Sequence, residues 1–230
     1  MQAIVARQDA ERTIEWERRN FETVNVKASI VDLRGESVLR LERDLESFPF
    51  DPKREVECVD DQHFLKLMDF EFTDGIFEVK LLSRVLQPAP FLNSQGFIGM
   101  YFRIRKDNNA FEAIYLRPNV GRSHIQAMRN HSVQYFAYPG YKFDVLRKEA
   151  PGLYETYADI GLDEWITMRI HVIGEKAELY INDAKFPSFI VNKMKGTSSV
   201  GTIGLYVDIG TEGYFKDLKI ISSINPGLKV

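Results

Sequence analysis

The chain has 230 residues, of which 44% are hydrophobic and 27% are charged, and its formal net charge is -3. This composition is typical of a globular protein that buries a large core, and the slightly acidic balance excludes a general basic surface for nucleic acid or anionic lipid. The single cysteine excludes an intrachain disulfide. The length does not demand two domains, so we expect one over residues 1–230. No apolar stretch approaches the length of a membrane span, so we expect no membrane partner.

The first twenty residues lack a basic head followed by an apolar run, so they do not have the pattern of a signal peptide. If the chain is full length we expect a cytoplasmic protein, and if an export signal was trimmed we expect a secreted one. Residues 1–20 are strongly charged, with Ile14 and Trp16 only loosely periodic. This pattern predicts a short N-terminal helix or arm.

From Phe21 onward, apolar and polar residues alternate, and the first two such runs form a predicted hairpin around Arg34–Gly35–Glu36. Further alternating runs follow at 76–82, 97–105, 111–117, 166–172, 177–181, 189–191, 202–207 and 213–221. Alternation with closely spaced turns is typical of antiparallel strands, and long helical patterns are missing. The sequence therefore predicts an all-β fold, a jelly-roll sandwich of two antiparallel sheets with minor short helices.

The runs at 97–105 and 111–117 are separated by a polar turn and should pair as a hairpin. We predict that Tyr101 lies opposite Tyr115 and that Gly99 lies opposite Arg117. Arg103 belongs to the same face by alternation. Tyrosine and arginine side chains would then cover a shared outer face.

Residues 118–160 mix Arg, His, Asn, Gln and Tyr more densely than their flanks. The segment is too irregular for one strand or one helix. It is predicted to be a long decorated loop that covers the tyrosine and arginine face, because long ordered loops in compact domains are usually functional.

Several strands carry a recognisable order of residues: Gly99–Arg103 (GMYFR), Phe111–Pro118 (FEAIYLRP), Trp165–Val172 (WITMRIHV), Ala177–Asn182 (AELYIN) and Gly201–Phe215 (GTIGLYVDIGTEGYF). In this order the chain resembles the concanavalin A-like lectin/glucanase superfamily over roughly Phe70 to Ile221. Within that superfamily it is most similar to the laminin-G-like group and to the 3-keto-disaccharide hydrolase, or family-16-like glycoside hydrolase, domain. The resemblance implies a carbohydrate-binding or glycoside-hydrolase-like protein with a saccharide ligand on the concave sheet face.

Two other functions fit the same residues: a non-catalytic interaction module of laminin-G-like fold, and a protein whose long loop is only an internal brace. Laminarinase-type members carry a Glu-x-Asp-x-(x)-Glu strand, which is absent here, so their retaining mechanism is not expected. Whether the protein is an enzyme therefore stays open, as does its oligomeric state.

Candidate site residues follow from their side-chain chemistry. The candidate catalytic residues are His131 and Glu155, either of which could act as the acid/base. The candidate ligand-binding residues are Glu78, Tyr101, Arg103, Tyr115, Arg117, Asn119, Arg122, Asn130, Gln134 and Tyr138. Several of these residues have a structural alternative: the arginines brace the loop, the tyrosines pack, Glu78 forms a cross-strand ion pair, and His131 bonds to backbone.

No metal and no other cofactor is expected, because the four histidines lack metal-ligand spacing. Asp107–Asn108–Asn109 could contribute to a calcium site of the laminin-G type. A simple hairpin turn explains the same three residues.

Overall fold

The computed structural model describes residues 12–222. Within them, antiparallel strands form an eight-stranded sheet in the order β1-β2-β5-β14-β7-β8-β9-β10 and a seven-stranded sheet in the order β13-β12-β11-β6-β15-β4-β3. The strands are β1 (Thr13–Trp16), β2 (Arg19–Val24), β3 (Val26–Leu33), β4 (Glu36–Arg43), β5 (Phe64–Leu67), β6 (Gly75–Val85), β7 (Ile98–Ile104), β8 (Phe111–Leu116), β9 (Val133–Tyr138), β10 (Glu155–Thr156), β11 (Ile166–Ile173), β12 (Lys176–Ile181), β13 (Phe189–Val191), β14 (Thr202–Val207) and β15 (Thr211–Ser222).

Short helices occupy the connections: a 3₁₀ turn (Pro52–Arg54), α1 (Glu55–Cys58), α2 (Pro118–Gly121), α3 (Gln126–Arg129) and α4 (Phe143–Glu149). None of the helices in residues 12–222 has the length and apolar character needed to cross a membrane. The predicted jelly-roll sandwich with minor short helices is confirmed.

The core lies between the two sheets and is built by the alternation that the sequence shows. On β6, Phe77, Val79 and Leu81 are fully buried while Glu78 and Lys80 face outward. Phe77 meets Phe102 of the opposite sheet with ring centroids 5.6 Å apart. Burial of each such side chain contributes about 1.5–3 kcal/mol, so the alternation drives the sheets together.

The chain begins, in its described part, with a hairpin. β1 and β2 pair directly, and the turn residues Glu17 and Arg18 have φ of 48° and 60°, as a two-residue type I′ turn requires. Trp16 packs on Phe21 across the hairpin. The prediction of a helix or arm is therefore wrong for residues 13–20, and its remainder, residues 1–11, lies outside the described residues.

Residues 118–160 are not one long loop. β9 lies inside this segment and pairs with β8, and β10 adds an edge strand to β9. The sequence hid β9 because both of its faces are buried, so its residues show no polar alternation. The prediction of a continuous loop is therefore wrong, although α2, α3 and α4 do surround the added strands.

The β7–β8 hairpin has a different register from the predicted one. Gly99 pairs with Tyr115 and Tyr101 pairs with Ala113. A Cβ on Gly99 would lie 2.5 Å from the Cα of Tyr115, so only glycine permits this close pairing. The shift is two residues, which preserves the faces, so Tyr101 and Tyr115 still share the outer face.

Arg103 leaves that face because β7 carries a bulge. Its φ is 52°, and the pairing with β14 shifts between Thr202 and Gly204. The guanidinium donates to Thr73 O at 3.0 Å, Asp74 Oδ1 at 3.0 Å and Gly174 O at 2.7 Å. The predicted ligand-binding role of Arg103 is therefore wrong, since the side chain ties the eight-stranded sheet to loops of the other sheet.

Glu112 is a buried acid in the interior, on the core face of β8 and 1% exposed. Its carboxyl accepts a hydrogen bond from the Tyr135 hydroxyl, which in turn accepts from Lys195 N at 2.6 Å. Burial raises the pKa of Glu112 from 4.5 to about 7, against the opposing effect of the Tyr135 hydrogen bond. The native state therefore binds this proton more tightly than the unfolded chain.

We predict that Glu112→Gln becomes progressively more stabilising, relative to the native chain, as pH rises. Folding raises the pKa of this carboxyl, so the native protein loses stability as pH rises from the unfolded pKa of 4.5 to the folded pKa of about 7. Glutamine does not titrate, so the variant does not lose this stability. Urea unfolding at pH 5 and pH 8 should show the difference in unfolding free energy changing by about 2.5 kcal/mol in favour of the variant. A difference that stays constant between these pH values would contradict the buried titration.

Candidate functional site

A layer of aromatic side chains covers the outer face of the eight-stranded sheet, the face turned away from the core. Its members are Phe64, Tyr101, Phe111, Tyr115, Phe136 and Tyr206. Tyr101 is stacked between Phe111 and Tyr206, at centroid distances of 4.6 and 4.7 Å, and is 0% exposed. The prediction that Tyr101 stacks on a ligand is therefore wrong, because its ring is covered on both sides.

Two chain segments cover this layer, residues 52–61 and α4. Lys142 Nζ donates to Val59 O at 2.8 Å, and Phe143 N donates to Asp60 Oδ2 at 3.1 Å. The Tyr101 hydroxyl donates to Asp61 O at 3.1 Å from below. These bonds hold the two segments together as one cover over the sheet.

A cleft of about 390 Å³ opens beside this cover. Its lining combines charged groups with aromatic rings: Glu55, Val59, Asp60, Phe91, Asn93, Gln95, Phe97, Tyr115, Arg117, Met128, His131, Phe143, Arg147 and Asp208. Convergent polar groups inside an apolar hollow are the usual composition of a small-molecule site. We refer to this hollow as the inner cleft.

Arg117 and Tyr115 reach the inner cleft from the end of β8, as the shared-face prediction requires. The guanidinium donates to His131 O at 2.7 Å, to Tyr115 Oη at 2.5 Å and to Gln134 Oε1 at 3.5 Å. It also lies 5.9 Å from the Phe97 ring and 6.0 Å from the Phe143 ring. Arg117 is thus held rigidly in an aromatic frame, with its charge directed at the cleft.

The two predicted catalytic residues are adjacent in space. His131 Nδ1 lies 2.6 Å from Glu155 Oε2, and Arg147 Nε donates to the same oxygen at 2.8 Å. An ionised carboxylate can only accept hydrogen bonds, so Nδ1 carries the proton and Nε2 of the neutral ring keeps a lone pair. This arrangement fits a proton acceptor whose orientation is fixed.

Two buried carboxyls, Asp60 and Asp208, also line the inner cleft and differ in their surroundings. Burial raises the pKa of Asp60 to about 6, Arg117 opposes the rise, and the charge of Asp208 adds to it. Burial alone would also raise the pKa of Asp208, but Arg43 and several donors outweigh it and hold that pKa below its usual value. Asp60 can therefore carry a proton at a pH where Asp208 is ionised.

Asp208 is held by four donors. Arg43 Nη1 and Tyr206 Oη donate at 2.7 Å each, Asp60 N at 3.2 Å and Ile209 N at 2.6 Å. Its partner Arg43 is also nearly inaccessible, with 3% of its side chain exposed. Neither Asp60 nor Asp208 was among the sequence candidates, although an aspartate directly after the apolar run Ile203–Val207 is an unusual placement.

Three predicted ligand residues lie outside the inner cleft and are bonded to other parts of the protein. Glu78 is on the outer face of the other sheet, where it pairs with Lys219 at 2.9 Å, which matches the ion-pair alternative. Arg122 forms a brace, with Nε 2.7 Å from Asp159 Oδ1 and both Nη atoms 3.0 Å from the Glu164 oxygens. Asn119 bonds to Ser94 O and Gln95 O.

The remaining three candidates occupy supporting or neighbouring positions. Gln134 is fully buried behind Arg117 and donates to Tyr154 O at 2.9 Å. Tyr138 stacks on Phe111 at 4.8 Å, away from the cleft lining. Asn130 lines a second hollow on the other side of His131. Gln134 and Tyr138 are thus not placed to contact a ligand in the inner cleft.

No group of three or more His, Cys, Asp and Glu side chains in residues 12–222 is arranged to hold a metal ion. In the Asp107–Asn109 turn, the alternative calcium site, Asn108 Oδ1 accepts from Lys66 Nζ at 2.7 Å and Asp107 Oδ1 accepts from Asn109 N at 3.2 Å. These contacts are those of a closed hairpin turn.

Residues 56–221 match the family described as the 3-keto-alpha-glucoside-1,2-lyase-like domain. The match spans more than half of the chain, so the protein belongs to this family, and the resemblance drawn from the strand sequences is confirmed. No protein of curated function matches the chain.

Solved structures that align with this chain have low sequence identity to it. The carbohydrate binding module CBM66 from Bacillus subtilis has 13% identity and a TM-score of 0.49, over 85% of this chain and 94% of that one. A protein of unknown function with a galectin-like fold from Bacillus subtilis has 10% identity and a TM-score of 0.46, over 85% and 87%. Bacillus licheniformis β-glucanase has 10% identity and a TM-score of 0.44, over 90% and 88%.

We predict that Asp208→Asn strongly destabilises the protein, because it leaves the buried Arg43 charge without its counter-ion. Breaking one partner of a buried pair costs about 3–5 kcal/mol. The matched control is Glu46→Gln, which removes the exposed pair between Lys27 and Glu46 at 2.6 Å and should cost little, because water screens that pair. Urea unfolding at neutral pH measures both, and equal losses would show that Asp208 does not hold the cover in place.

Proposed function

We propose that the protein is a lyase that binds a 3-keto-glucoside in the inner cleft and eliminates the group attached to C1. The family name supplies the substrate class and the bond involved. The observation that supports it best in this chain is the His131–Glu155–Arg147 arrangement at the cleft wall. It provides an oriented base in a hollow that also contains a fixed cation and a protonatable acid.

The reaction needs a base, an anion stabiliser and an acid. The C3 ketone acidifies the hydrogen on C2, which a base removes, and the negative charge then rests largely on the ketone oxygen. The C2–H electron pair forms the C1=C2 double bond while the C1–O bond breaks and its electron pair stays with the leaving oxygen. That oxygen takes up a proton, so the products are an unsaturated ketone and a free alcohol, with no oxidant consumed.

His131 is the proposed base. Glu155 fixes the ring so that Nε2 is the accepting atom, and Arg147 fixes Glu155 through the shared Oε2. The same carboxylate stabilises the imidazolium that forms when the proton is taken. The imidazole keeps 32% of its surface exposed, so a substrate can approach it.

Arg117 is the proposed stabiliser of the ketone oxygen, because its guanidinium lines the same cleft and is already held in place by His131 O and Tyr115 Oη. A fixed charge needs no reorganisation when the enolate forms. The rings of Phe97, Tyr115 and Phe143 supply apolar surface for a sugar, and Asn93 and Gln95 supply amide groups for its hydroxyls.

Asp60 is the proposed acid that protonates the leaving oxygen. Its carboxyl lines the cleft, and its raised pKa lets it carry a proton to about pH 6. Asp208 beside it stays ionised and favours that protonated form. Within one site, the Asp60 carboxyl can thus be protonated while the Asp208 carboxyl is ionised.

We predict that His131→Gln lowers kcat for a 3-keto-glucoside by about 10²- to 10⁴-fold, since the side chain can no longer accept the C2 proton. The conjugated ketone product can be followed by its ultraviolet absorbance and the released alcohol by chromatography. The control is His124→Gln, an exposed histidine on the preceding loop, which should retain the native rate.

Full activity in His131→Gln would remove His131 as the base. Saccharide binding by the native protein without any product would favour a binding protein over a lyase.

We predict that kcat/KM of the native protein falls as pH rises through about 6, because the carboxyl of Asp60 loses the proton it donates. Asp60→Asn should be slower and should lack this alkaline limb. Asp61→Asn, at the next position, should keep both the limb and the rate. An unchanged limb in Asp60→Asn would assign the titration to another group.

A further inference from the structure

A second hollow of about 390 Å³ lies on the other side of His131 from the inner cleft. His131 is common to both hollows, while Arg147 lines the inner cleft and Glu155 lines the second one. The Arg147–Glu155–His131 contacts therefore lie where the two hollows meet. We refer to this second hollow as the outer groove, and its remaining wall is formed by Ala127, Asn130, Gly152, Thr156 and Tyr157.

Tyr157 is a fixed aromatic platform in the outer groove. Tyr157 is 36% exposed, so its ring is accessible. The guanidinium of Arg129 nevertheless fixes the ring, because it lies 4.6 Å from the ring centroid and donates to the Tyr157 hydroxyl at 2.5 Å. The ring is thus held in one orientation by a residue that does not itself line the groove. A held ring loses little entropy when a ligand stacks on it.

The polar groups of the outer groove suit an uncharged ligand. Asn130 has its carboxamide oriented by Gln126, whose Nε2 donates to Asn130 Oδ1 at 2.8 Å. Thr156 adds a hydroxyl, and the one carboxylate, Glu155, is already paired with the Arg147 guanidinium and hydrogen-bonded to His131 Nδ1. A stacking ring, an amide and a hydroxyl without a free charge match a polyhydroxylated neutral group such as a sugar.

We propose that the outer groove is the leaving-group subsite, in which Tyr157 and Asn130 hold an uncharged sugar attached to C1 of the keto sugar in the inner cleft. This inference rests on the proposed lyase reaction. The bond to be broken would then lie over His131, the one residue that both hollows share. Tyr157 is a specificity-determining residue on this account, and it takes no part in the proton transfers.

The experiment compares two substrates that differ only in the leaving group: a 3-keto-α-glucoside of glucose and methyl 3-keto-α-glucoside. Tyr157→Ala should lower kcat/KM about three- to tenfold for the glucose-leaving substrate, mainly through KM, and leave the methyl glucoside within about twofold. Asn130→Ala should act in the same direction. Melting temperatures identify any variant that is not folded.

The matched control is Tyr180→Ala. Tyr180 lies on the other sheet and carries the same kind of stacked arginine, with Arg169 4.7 Å from its ring centroid. Tyr180→Ala should leave kcat/KM unchanged for both substrates.

Equal effects of Tyr157→Ala on both substrates, or no effect on either, would overturn the subsite while leaving the lyase reaction in place. If the native protein releases no unsaturated ketone from either substrate, the proposed reaction itself is wrong, and the subsite assignment falls with it.

Discussion

The structure around the candidate site depends on one buried carboxylate, Asp208. It accepts hydrogen bonds from Arg43 of the seven-stranded sheet, from Tyr206 of the eight-stranded sheet and from the backbone N–H of Asp60 in the cover. Three layers of the molecule are thus joined at one side chain. Because a buried charge costs several kcal/mol unless it is fully paired, these bonds form or fail together. The cover that bounds the inner cleft is fixed to the sandwich by this requirement.

Burial raises the pKa of Asp60 to about 6, and the negative charge of the same Asp208 carboxylate adds to the rise. Asp60 is placed next to a permanent negative charge and away from water, so its ionisation opposes folding as pH rises between 3.8 and about 6. Asp208 recovers its own burial cost through Arg43, whereas Asp60 accepts from Phe143 N at its Oδ2 and is otherwise stabilised by the charges of Arg117 and Lys142, which do not outweigh its burial. A destabilising proton site of this kind is common where a protein performs acid–base chemistry. The stability lost at Asp60 is consistent with the role proposed for it.

The sequence predicted the sandwich and the faces of its strands, because alternation with a period of two survives a register error of two residues. Tyr101 and Tyr115 illustrate this, since their pairing was wrong while their shared face was right. Arg103 is an exception, because a bulge in β7 turns its side chain to the other face of the sheet. No local residue pattern predicts that bulge. The sequence also did not predict which segments cover the outer face of the eight-stranded sheet. It comes from residues 52–61 and α4, which are distant in sequence and meet through Phe143 and Asp60. His131 and Glu155 could be selected by side-chain chemistry alone, whereas Asp60 and Asp208 acquire their properties from burial and from neighbours distant in sequence.

The pairing of His131 with Glu155 follows from the edge of the sheet. Glu155 lies opposite Gln134 in the short β9–β10 ladder, and Thr156 lies opposite Val133. His131 precedes β9 by two residues, where Arg117 N bonds to Ser132 O and Arg117 Nη1 bonds to His131 O. Because side chains alternate between faces, a slip of one residue in β10 would turn Glu155 away from the imidazole and break its contact with Arg147. A two-residue edge strand is a weak element by itself, so the ion pair and the ladder must support each other. The segment predicted to be a decorated loop thus contains a sheet edge whose register sets the geometry of the proposed base.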